Sequence, residues 1–122
     1  MISNHIELIL YITGAVTASM IVQFLIPGQF LKIFNKIELS DPAGLFFARH
    51  WGFLAATFGT LLIYAGSHAE IRTPILIAAG AEKITFVLLI LLNARSFAKG
   101  LLLAAAFDSL CVILYLLYLA GV

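Results

Sequence analysis

The chain has 122 residues, 63% of them hydrophobic and only 11% charged, with a mean hydropathy of +1.12. Soluble domains carry about 25% charged residues, and a small soluble fold buries only about 60–70% of the surface its unfolded chain exposes. Such a chain is excluded from water and belongs in lipid. The formal charge of +1 leaves no clustered Lys and Arg for a nucleic-acid partner. Cys111 is the only cysteine, so a disulfide framework is also excluded, and its apolar surroundings fit a small buried side chain.

A spanning helix needs about 20 mostly apolar residues. The first such run is 6–26, stopped by Pro27 and Gly28, a pair that rarely continues a helix. It lacks the basic flank and small-residue cleavage pattern of a secretory signal, so it reads as a retained span. Residues 29–39 follow, with Phe30, Ile33, Phe34 and Ile37 at helical spacing and Lys32, Asn35 and Lys36 mainly opposite. This pattern predicts a short amphipathic helix in the membrane interface. Asp41 is placed to cap the next element, with Pro42 in its first turn.

The second run is 45–65, stopped by Gly66. The third is 74–92, with Pro74 suited to a first helical turn. The fourth is 101–120, opened by Gly100. Short connections make neighbouring helices antiparallel. The predicted fold is therefore an all-α membrane protein, a single domain over 1–122 with four transmembrane helices in an antiparallel bundle. Lys32 and Lys36 follow the first span and Arg95 and Lys99 the third, while Arg72 alone lies on the other side. The positive-inside rule then puts both termini outside the cytoplasm.

Charged side chains within spans are costly and are the default functional candidates. Five stand out: Arg49, His50, Glu82, Lys83 and Asp108. At about 1.5 Å per residue, Arg49 and His50 lie roughly 6–8 Å, Asp108 roughly 10 Å, and Glu82 and Lys83 roughly 13–15 Å from the same end of the bundle. An inward-facing cluster accommodates them at least cost. The expected pairing is Arg49 with Asp108 or Glu82, and Lys83 with the other carboxylate, with His50 as a proton-linked member. Glu82 and Lys83 point about 100° apart. Glu82 shares its face with Ala78 and Ala79, near small residues that admit a close neighbour, so Glu82 is expected inside and Lys83 to reach sideways. Such a network can simply hold helices together or form the polar floor of a ligand pocket.

Gly14 with Ala18, Gly52 with Ala56, and Ala55 with Gly59 have small-xxx-small spacing, which marks tight helix contacts within one chain or between chains. Thr13, Thr17 and Gln23 can bond within or between helices. Trp51, Tyr11, Tyr64, Tyr115 and Tyr118 fit an aromatic belt. No cofactor is expected. Only His50 lies inside a span, so a haem has no axial pair. His5, Glu7, His68 and Glu70 show no metal-binding spacing. There is no phosphate-binding loop, dinucleotide fingerprint or nucleophile elbow. His50, Glu82 and Asp108 have the chemistry to act as acid and base on a lipid-soluble substrate if the fold brings them together.

The stretches "DPAGLFFARHWG" (Asp41 to Gly52) and "RTPILIAAGAEKITFVLLILL" (Arg72 to Leu92) resemble a pattern in small four-helix bacterial membrane proteins, loosely DoxX-like and largely uncharacterised. The features that carry it are Arg49, His50, Trp51 and Gly52, then Arg72 and Pro74, then Glu82 and Lys83, over less than half the chain. The resemblance implies a four-helix bundle in a bacterial inner membrane, and that Arg49, His50, Glu82 and Lys83 matter together.

Two functions are expected from these observations. The first is a noncatalytic accessory or scaffold component of a larger membrane complex, with a membrane-protein partner or a second copy of the chain. The alternative is a carrier, binder or small enzyme for a hydrophobic small molecule or lipid. It would use an intramembrane pocket floored by Arg49, His50, Glu82, Lys83 and Asp108.

Overall fold

The computed structural model describes residues 2–92 and 94–122, without the side chains of 94–99. A 3₁₀ turn, Ile2–His5, leads into α1 (Ile6–Ala18), α2 (Ile21–Leu25) and α3 (Pro27–Phe34). Then come α4 (Pro42–Ser67), a 3₁₀ turn at Ala69–Ile71, α5 (Arg72–Leu92) and α6 (Ala94–Leu119). Four segments are long and apolar enough to cross a membrane: Ile2–Leu25, Pro42–Ser67, Ala69–Leu92 and Gly100–Leu119. Their outer faces carry large apolar side chains such as Phe46, Phe47, Leu92 and Leu102, a surface that only lipid or a partner covers. The chain is an all-α, multi-pass membrane protein.

Local chemistry sets the helix ends. Asp41 caps α4, its Oδ2 accepting from the Gly44 N–H at 2.7 Å, and Pro42 opens the helix. At the other end of α4, Arg72 donates from Nε to the Ala65 carbonyl and from Nη2 to the Gly66 carbonyl, both at 2.8 Å. The last carbonyls of a helix have no partner within it, so a buried guanidinium there serves both as a cap and as a favourable charge for the helix dipole. This capping role is not legible from the position of Arg72 in the sequence.

Three expectations about these elements are revised. The interfacial helix α3 stops at Phe34, short of residue 39. Lys36 is left-handed (φ 56°), and the Ile37 N–H turns back to the Leu31 carbonyl at 3.1 Å. Asn35, assigned to the polar face, is buried against α6. Gly100 does not open a helix but lies within α6. A Cβ there would overlap the Asn35 carbonyl, so the glycine lets the end of α3 touch α6.

In sequence around the bundle, α1 packs on α4, α4 on α5, and α5 on α6. Small residues bring α1 and α4 into backbone contact. A Cβ on Gly14 would stand 2.8 Å from the Gly59 carbonyl oxygen, and one on Gly59 would overlap the Ala18 backbone. The small-residue stripes of these two helices are therefore used within the chain. The half of the bundle that carries the termini is solid. Ile6, Leu10, Leu62, Ala65, Leu76, Ala79, Cys111 and Tyr115 form its core, and Ser3 bonds to the Val122 carbonyl through both its N–H and its hydroxyl.

Candidate functional site

The other half of the bundle is hollow. Past Ala18 the first span leaves regular α geometry: Met20 N–H bonds to the Thr17 carbonyl and Val22 N–H to the Ser19 carbonyl, three residues back in each case. The helix resumes as α2 and ends before Pro27. Irregular backbone within a membrane is tolerated where protein covers it or it lines a cavity. Here Thr17, Ser19 and Met20 line a cavity of about 380 Å³, within the usual range for small-molecule sites. Val22, Phe30, Phe34, Trp51, Phe86, Leu103 and Phe107 supply most of its apolar wall.

The cavity floor is polar. Lys83, 2% exposed, donates from Nζ to Asp108 Oδ1 at 2.9 Å and to Thr17 Oγ1 at 3.1 Å. Its ammonium also lies 5.1 Å from the centre of the Phe107 ring, a cation–π distance. Thr17 Oγ1 donates in turn to the Thr13 carbonyl at 2.7 Å, and Tyr115 donates its hydroxyl to Thr13 Oγ1 at 2.7 Å. One network thus ties α1, α5 and α6 together at the level where the packed half ends and the hollow half begins. Tyr115, expected in an aromatic belt, is 1% exposed inside this network.

The five predicted residues divide into two groups. Glu82, Lys83 and Asp108 all line the cavity. Of the two alternatives for Lys83, the structure adopts the pairing with Asp108. The expected inward order is reversed: Lys83 is the buried member, and Glu82 is only partly covered. The reason is Asp108, which a lysine on that face of α5 reaches directly, whereas Ala78 and Ala81 on the neighbouring face are exposed. Arg49 and His50 do not join the cluster. Both are exposed on α4, and the Arg49 guanidinium sits 5.9 Å from the Phe24 ring centre. His50 does not line the cavity, so His50, Glu82 and Asp108 are not assembled as an acid–base set.

Among the described residues Glu82 makes no hydrogen bond and no ion pair. It also lines a second cleft, of about 670 Å³, together with Trp51, Ala81, Thr85, Phe86, Leu89, Ile90 and Leu101. Trp51 and Phe86 rings lie 5.1 Å apart and, with Glu82, border both spaces. No group of three or more His, Cys, Asp or Glu among the described residues is placed to hold a metal ion. No known family model, curated protein or solved structure matches the chain.

Proposed function

We propose that this protein binds a hydrophobic small molecule or lipid with a polar head inside the bilayer, as a carrier or binding protein. The observation that carries this reading is the apolar cavity with the Lys83–Asp108–Thr17 floor. A network that only held helices together would not need a space of ligand size above it. The setting we propose is a bacterial inner membrane, with Lys32 and Lys36 in the cytoplasm and both termini outside, as in the loosely DoxX-like proteins the sequence resembles.

The test is purification in mild detergent followed by organic extraction and mass spectrometry. An amphipathic molecule retained in proportion to protein is the expected result. A defined partner subunit and no retained small molecule would contradict it.

That outcome would favour an accessory or scaffold role, which one observation also supports. Ala78 and Ala81, three residues apart on one face of α5, are both exposed. Such a small-residue face suits a second helix from a partner.

A further inference from the structure

The binding reading can be taken one step further, to the charge of the ligand, and this step rests on that reading. Among the described residues, the ionisable groups lining the cavity are Glu82, Lys83 and Asp108. Lys83 is committed to Asp108 at 2.9 Å, and that pair is neutral as a whole. Among the described residues Glu82 makes no hydrogen bond or ion pair, and the neighbouring Lys83 is held by Asp108. Two other cations among the described residues are engaged elsewhere: Arg49 beside the Phe24 ring, and Arg72 on the end of α4. An ionised carboxylate in an apolar space is expensive unless a counter-charge accompanies it.

The walls beside Glu82 are aromatic. Trp51 and Phe86 stand at 5.1 Å from each other and border both the cavity and the adjoining cleft along with Glu82. Aromatic faces next to a carboxylate recognise organic cations, above all quaternary ammonium groups, through the ring quadrupole and the opposite charge together. We infer that the cavity takes a lipophilic organic cation, an amine or quaternary ammonium with an apolar body. Glu82 is its counter-ion, and Trp51 and Phe86 face its charged head. Because these three side chains border both spaces, the cation passes them on its way from the cleft into the cavity.

The experiment uses the full chain in a nonionic detergent and three probes of nearly equal shape. These are phenylbutyltrimethylammonium, its neutral tert-butyl carbon isostere, and phenylbutylsulfonate. Binding is read by calorimetry and by the fluorescence of Trp51, the only tryptophan in the chain. The ammonium probe is expected to bind at least about tenfold more tightly than the neutral isostere, and the sulfonate most weakly. Glu82→Gln should remove the preference for the cation while leaving the neutral isostere bound as before, which shows that the variant is folded. Glu82→Asp should keep the preference in part.

Equal binding of all three probes, tighter binding of the sulfonate, or an unchanged preference in Glu82→Gln would overturn the inference and leave the cavity reading standing. Failure of every probe, with no molecule retained on purification, would overturn both.

Discussion

Lys83 Nζ lies 2.9 Å from Asp108 Oδ1, with the two side chains 2% and 13% exposed. This contact joins α5 to α6, and through Thr17 it reaches α1. Apolar burial does little to hold helices together in lipid, because lipid tails are as apolar as leucine. Polar contacts and close packing carry more of the load there, and this pair sits at the centre of both.

Removing one partner leaves the other charge buried and alone. Lys83→Met or Asp108→Leu should each destabilise the bundle by about 3–5 kcal/mol. The double variant should recover most of that loss, because a buried ion pair replaced by apolar groups is often neutral overall. Thermal unfolding in detergent, analysed as a double-mutant cycle, checks this. Additive losses would show that the two groups do not act as a pair.

Two glycines should respond in opposite ways to the same change. Gly59→Ala pushes a methyl group into the Ala18 backbone and should cost about 1–3 kcal/mol. Gly80→Ala meets nothing within 4 Å and should stabilise α5 by up to about 1 kcal/mol from helix propensity. Melting curves of the two variants give the comparison. A Gly59→Ala protein as stable as the parent would contradict the close approach of α1 and α4.

Arg72→Ala strips the cap from two carbonyls at the end of α4 and should cost about 1–3 kcal/mol. Arg72→Lys should rescue only part, since a lysine lacks the fork that reaches both carbonyls. Glu7→Gln should change stability by less than about 1 kcal/mol, because its contact with Arg72 is 3.9 Å long and Glu7 is 70% exposed. Urea titration of the three variants in micelles orders them. A larger loss for Glu7→Gln than for Arg72→Ala would reverse the assignment.

Much of this could be read from the residues alone, and the failures have physical causes. Four spans follow from apolar runs punctuated by Pro27, Gly66 and Pro74. The cap at Asp41 follows from its place before Pro42. The meeting of Glu82, Lys83 and Asp108 at one depth follows from helical rise and short connections. The facing directions did not follow, because a helix with apolar residues all round gives no amphipathic signal to orient it. Lys83 therefore went inside where Glu82 was expected, and Arg49 and His50 stayed outside. Gly100 looked like punctuation, but it is a point of contact with Asn35, and only the tertiary structure reveals that role. Nothing in the sequence around Arg72 or Tyr115 indicates the carbonyls that the first caps or the network that the second joins. Arg95 and Lys99, two of the basic residues behind the predicted orientation, have side chains outside the described residues.

Ser3 and Val122 are hydrogen-bonded, so both termini lie on one side. Reporters fused before Ile2 and after Val122 should be active in the same compartment, and the basic residues of the first connection predict that this is outside the cytoplasm. Cytoplasmic activity at both ends would invert the topology while keeping the fold. Opposite locations would break the fold itself.

Whether the hollow half of the bundle holds a ligand is decided by native mass spectrometry of the protein released from lipid nanodiscs, compared with an Ala104→Trp variant. Ala104 lines the cavity, and an indole there fills part of that space. The account predicts a discrete small-molecule adduct on the parent protein and none on the variant, at similar melting temperatures. An adduct that persists in Ala104→Trp, or a parent protein that carries none in its native lipids, would contradict it.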